Sequence, residues 1–208
     1  MTKLLPLTLL LVVVLAAVAS ARAVAPAPCV DYALPQVGTA EDDTQIGSDC
    51  ADTQRGGAGN DTQYGFRGRD RQNGGTGNDT VDGGAGNDEQ TGGDGNDLLY
   101  GRAGADTIYG DAGLDVIYGG AGSDRVSGGT ANDEIQGGAG NDVLSGAAGD
   151  DRITGGTGGD RVSGGTGNDT IDVRDGGRDN VRCGRGTDSV RADSSDVIAR
   201  DCERVRRS

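Results

Sequence analysis

Residues 119–145 read GGAGSDRVS, GGTANDEIQ and GGAGNDVLS. The three blocks of nine align without a gap. Gly119, Gly128 and Gly137 stand first, Asp124, Asp133 and Asp142 sixth, and Val126, Ile135 and Leu144 eighth. Working outward, the same register holds from Gly56 to Asp172 through thirteen blocks. The first position is Gly and the sixth is Asp in all thirteen, the fourth is Gly in twelve with Ala131 the exception, and the eighth is Val, Leu or Ile in ten. A fixed short period of this kind marks a repeat architecture in which each unit buries its apolar face only against its neighbours. Side chains alternate across a strand, so a strand over the last three positions turns the eighth residue inward and the seventh and ninth outward. The first six positions are then expected to form the turn, where Gly permits positive φ and close backbone approach.

The composition agrees. Gly is 41 of 208 residues, hydrophobics are 33% and aromatics 3%, too little large apolar surface for an ordinary core of this length. Four Pro and no Gly-X-Y period exclude collagen. A net charge of −14 disfavours a nucleic-acid partner. His is absent, which excludes Cys/His zinc sites and His-dependent triads. The excess charge is carboxylate, and carboxylates suit hard cations.

The N-terminus reads as an address. Lys3 precedes an apolar run from Leu7 to Val18, and Ala19-Ser20-Ala21 and Ala21-Arg22-Ala23 both fit a small-residue cleavage rule. The run is short for a membrane span, so residues 1–23 are expected to be a cleaved signal peptide and the mature chain to be extracellular, with no membrane span. Export makes the cysteines readable as disulfides. Cys29 and Cys50 lie at one end and Cys183 and Cys202 at the other. Four cysteines allow three pairings; local pairing is the simplest, and free thiols are the alternative.

The pattern G-G-x-G-x-D-x-U-x resembles the repeat-in-toxin (RTX), or haemolysin-type, calcium-binding nonapeptide. The resemblance implies an all-β, right-handed parallel β-roll solenoid with two nonapeptides per coil, and Ca2+ ions held between a turn and the equivalent turn one coil later. It implies metal ligation by Asp61, Asp79, Asp88, Asp97, Asp106, Asp115, Asp124, Asp133, Asp142, Asp151, Asp160 and Asp169. Asp70 is set apart because Phe66, Arg67, Arg69 and Arg71 surround it, and a looser N-terminal end is expected where Gln63, Gln72 and Gln90 take the inward position. The organisation expected is 1–23 signal, 24–55 an N-terminal segment with two degenerate repeats, 56–172 the calcium-binding roll, and 173–208 a C-terminal cap pinned by its cysteines.

The fifth position is Asn in seven repeats and is read mainly as a turn former. A column of thirteen carboxylates would repel itself without cations, which favours the ligand reading over simple turn capping. Tyr100 and Tyr118 fall one coil apart, either as an ordinary cross-strand stack or as a platform for a glycan or cell-surface partner. Arg152 and Arg161 are candidates to pair with Glu134. No catalytic residue and no organic cofactor site is identified, and no enzyme is expected. The function expected is an exported calcium-binding repeat protein, with an adhesive or matrix role on the same scaffold as the alternative.

Overall fold

The computed structural model describes residues 35–208. The expected signal segment 1–23, Cys29 and the first residues of 24–55 lie outside the described residues. Among the described residues twenty strands form two ten-stranded parallel sheets, and alternate strands along the chain belong to alternate sheets. The first sheet runs from Gln36–Val37 to Val197–Ile198, the second from Thr44–Ile46 to Arg204–Arg207. Val116–Ala121 lies between Leu98–Ala103 and Glu134–Ala139, with Ile117 beside Leu99 and Ile135. Eighteen residues therefore separate neighbours in a sheet, two nonapeptides per coil. Among the described residues no helix is long and apolar enough to cross a membrane.

The strands are longer than the sequence pattern suggests. They run six residues, from the seventh position through the third of the next block, as in Arg125–Thr130 and Glu134–Ala139. Only positions four to six make the turn. The reason is the Gly at position one: a residue without Cβ stays in the ladder while facing the interior, where Gly119, Gly128 and Gly137 are buried. Inward positions are thus the sixth, eighth and first, a strict alternation of two.

The eighth-position columns make the core. Val81, Leu99, Ile117, Ile135, Ile153, Ile171 and Val190 stack along the second sheet, and Ile108, Val126, Leu144, Val162 and Val181 along the first. Each such side chain contributes about 1.5–3 kcal/mol when fully buried. Both sheets continue past residue 172 through Asn180–Arg185 and Ser189–Ala192, which pair in register after a one-residue insertion. Cys183 and Ala192 take the first position there. Cys183 and Cys202 are disulfide-bonded to each other, the local pairing. Cys50 is also disulfide-bonded.

Toward the N-terminus the same columns are filled by glutamines joined in ladders. Gln63 Nε2 donates to Gln45 Oε1 at 2.9 Å in one sheet. In the other, Gln72 Nε2 donates to Gln54 Oε1 at 2.8 Å and Gln90 Nε2 to Gln72 Oε1 at 3.1 Å. The second amide hydrogens cross to the opposite sheet, from Gln63 to the Asn73 carbonyl and from Gln90 to the Tyr100 carbonyl. Where the ladders meet Val81 and Ile108, Gln63 Oε1 and Gln90 Oε1 end without a partner.

Position four carries positive φ in every repeat from Gly56 to Asp172 except at Gly86. A Cβ on Gly122 (φ 143°) would run into the Gly104 carbonyl of the previous coil. Ala131 holds the same place at φ 79°. Left-handed backbone costs a residue with Cβ about 1–2 kcal/mol, and the extra chain entropy of Gly returns about 0.4–1 kcal/mol of that. Ala131→Gly is expected to stabilise the calcium-saturated protein by about 0.5–1 kcal/mol. The check is its denaturant midpoint against that of the parent chain.

Candidate metal-binding turns

The sixth-position aspartates point inward and form two files, one along each edge where the chain passes between sheets. Neighbours in a file are linked through backbone. Asp106 N–H donates to Asp124 Oδ1 at 2.8 Å, Asp124 N–H to Asp142 Oδ1 at 2.8 Å, and Asp97 N–H to Asp115 Oδ1 at 2.9 Å. Each carbonyl is used as well: Asp106 O accepts Arg125 N–H at 2.8 Å. One carboxylate oxygen is therefore committed to the previous coil, and the other is left over.

That other oxygen is buried and has no hydrogen-bond partner. This holds for Oδ2 of all twelve expected ligands, Asp61, Asp79, Asp88, Asp97, Asp106, Asp115, Asp124, Asp133, Asp142, Asp151, Asp160 and Asp169. Asp70 has the same arrangement, and the flanking Arg67 and Arg71 face outward to Asp49 and Glu89. Asp179 and Asp188 share it too. Spacing was the only signal for these last two, and the insertion after Asp172 breaks the strict nine. The two upstream aspartates differ. Asp43 Oδ2 accepts Thr39 N–H at 2.6 Å and Thr39 Oγ1 at 2.9 Å, and Asp52 Oδ2 accepts Ser48 N–H at 2.6 Å and Ser48 Oγ at 3.0 Å. A hydroxyl at position two satisfies the carboxylate there. The repeats from Gly56 onward lack it.

The unpartnered oxygens lie where a first-position side chain would be. A Cβ on Gly119 would come 2.7 Å from Asp124 Oδ2 and 2.5 Å from the Gly137 carbonyl oxygen of the next coil. A Cβ on Gly101 would come 2.5 Å from both Asp106 Oδ2 and the Gly119 carbonyl. Carboxylate and carbonyl oxygens of adjacent coils thus converge around one glycine. The donor set is oxygen alone, the chemistry of a hard cation. Among the described residues no three His, Cys, Asp or Glu side chains group to hold a metal, so each carboxylate would depend on backbone oxygens to complete a shell.

Burial and like charge act on these carboxylates in the same direction. Burial pushes Asp70, Asp97, Asp106 and Asp133 up to about 7, opposed by the N–H from the neighbouring coil and reinforced by file neighbours such as Asp88 and Asp124 around Asp106. The same causes raise Asp142, Asp151, Asp160 and Asp179 to about 6. Desolvation favours the neutral carboxyl unless a cation takes the proton's place.

The family model of the RTX calcium-binding nonapeptide repeat (four copies) matches residues 37–63, 64–89, 91–126, 118–153, 127–162 and 154–190. The chain belongs to this family. No curated relative matches it. In this RTX chain the Asn at position five is a structural element: Asn78 Oδ1 accepts Asn96 N–H and Asn96 Oδ1 accepts Leu114 N–H, both at 2.8 Å. Tyr100 and Tyr118 stack with ring centroids 5.2 Å apart and an 8° interplanar angle, the ordinary cross-strand pair. Glu134 and Arg152 are register partners, but Arg161 lies in the other sheet, beside Val143 and Asn180, and cannot reach Glu134. Odd and even blocks face opposite ways, which separates the two arginines.

Proposed function

We propose that this RTX chain is an exported calcium-binding protein whose roll is completed by Ca2+ ions held at the twelve expected aspartates, Asp61 and the sixth-position residues from Asp79 to Asp169, together with turn carbonyls. The single observation that carries the reading is the file of buried, unpartnered Oδ2 atoms beside carbonyl oxygens of the next coil. Calcium bound there would supply positive charge and oxygen coordination between coils. The protein's own part is to hold the carboxylates, through backbone N–H groups, against open first-position glycines. The role is structural or binding rather than catalytic: buried aspartates tied to backbone have no face open to a substrate. The signal-like residues 1–23 and the disulfide at Cys183 and Cys202 support an oxidising, extracellular setting.

Calcium titration followed by calorimetry tests this. Roughly ten ions per chain are expected, with little response to Mg2+, which demands tighter octahedral geometry. Asp106→Asn with Asp124→Asn should lower the calcium count while the remaining sites still fill. Absence of bound calcium, or equal binding of magnesium, would overturn the reading.

A further inference from the structure

Two of the described non-glycine residues with positive φ, Phe66 (φ 73°) and Arg102 (φ 75°), line one groove. Both occupy the second repeat position, which is Gly in nine of thirteen repeats. They lie in the same column, with Gly84 between them in register. Neither strained side chain is buried in the core: Phe66 is 51% exposed and the Arg102 side chain 53%. Folding gains nothing from Phe66 that glycine would not give more cheaply. Backbone strain kept at an exposed site points to a role outside folding.

The groove has built walls. Tyr64 and Phe66 pack with ring centroids 6.3 Å apart at 29° on one side. On the other, Arg102 lies over the Tyr100 ring at 4.4 Å and forks onto Asp82 with bonds of 2.6 and 3.0 Å. Gly84 leaves the floor open. Phe66 and Arg102 stand two strands apart across Gly84, while Asp82 lies on the middle strand beside Tyr64 and carries the Arg102 guanidinium, so the groove opens above Gly84. The groove is open to solvent, with a volume of about 560 Å³, in the ~300–1,000 Å³ range of ligand sites.

Its charge is balanced. Arg67 pairs with Asp49 at 3.4 Å and Arg102 with Asp82. On a chain of net charge −14 this slot holds two acids and two bases already neutralised by each other. Such pairs offer fixed donors beside fixed acceptors, the arrangement that meets a hydroxyl, which both gives and takes a hydrogen bond. Aromatic faces take the C–H side of a saturated ring. We infer that the slot formed by Tyr64, Phe66, Asp82 and Arg102 binds a neutral hexopyranose unit of a glycan.

The test uses the exported chain in saturating calcium, so that its failure leaves the metal reading untouched. Calorimetric titrations with cellohexaose, laminarihexaose and mannohexaose are expected to give saturable binding for at least one. Phe66→Gly and Arg102→Gly restore the usual repeat residue and relieve φ, so both fold; each should weaken binding about tenfold or more. Tyr109→Ser, on the other sheet, should leave it unchanged. The proposal is overturned if none of the three binds, if the two glycine variants bind as the parent does, or if polygalacturonate binds as tightly as the neutral oligosaccharides.

Discussion

Chelating calcium at pH 8 is expected to turn the ordered chain into coil, with the parallel β-signal in far-ultraviolet circular dichroism lost cooperatively and restored by calcium but not by magnesium. The magnitude follows from the interior. A buried polar atom without a partner costs about 1–3 kcal/mol, and more when it is charged. Fifteen aspartate Oδ2 atoms from Asp61 to Asp188 stand in that condition. Net stabilities are about 5–15 kcal/mol. The aliphatic columns are one residue wide, the upstream coils substitute Gln for aliphatics, and the glycine-rich backbone loses more entropy on ordering than any other. A core of this size cannot carry fifteen buried carboxylates that each leave one oxygen without a partner. Binding to the folded form alone then couples calcium to folding by mass action. Undiminished β-structure in chelator at pH 8 would show that the fold stands without the ion.

Much of this was legible in the sequence. Inward orientation of position eight follows from a fixed period and the alternation of a strand; the coil of eighteen residues, and with it the Tyr100–Tyr118 contact, follows from the family resemblance. The length of the strands was not, because glycine reads as turn wherever it stands. At Gly119 and Gly128 it is strand backbone whose missing side chain makes room for Asp124 and Asp133. The glutamine ladders were hidden for a related reason. Gln54, Gln72 and Gln90 look like defects in an apolar column taken one block at a time, and only stacking at eighteen residues sets amide over amide. The expected ligands were visible as a column. What periodicity does not contain is the use of each oxygen, since the backbone bond from Asp106 N–H to Asp124 Oδ1 leaves Oδ2 alone. The groove at Phe66 arises where single repeats depart from the pattern, and a reading built on the pattern passes over it.

In calcium-free solution, acid is expected to do part of the metal's work. Burial holds Asp70, Asp97, Asp106 and Asp133 near 7 and Asp142, Asp151, Asp160 and Asp179 near 6, against about 3.8 in the unfolded chain. The folded state therefore binds more protons than the unfolded state between these values, and stability falls as pH rises. The contribution is fully present below about 3.8 and lost as pH climbs through about 6 to 7. The groups facing Asp106 in its file are Asp88 and Asp124, both carboxylates, so no fixed cation there opposes the trend. Asp172 and Asp193 act in the opposite sense, since Arg174 and backbone N–H groups hold them low, but both are near the surface and titrate below this window. Lowering the pH of the metal-free chain from 8 to about 4.5 should thus recover β-structure. Over the same range calcium affinity should fall and each ion bound should release protons, because ion and proton compete for the same oxygen. Circular dichroism in chelator reads the first, and titrations in buffers of different ionisation heat read the second. A metal-free chain as disordered at pH 4.5 as at pH 8, with calcium affinity flat across the range, would mean that these carboxylates are not the groups whose charge decides folding.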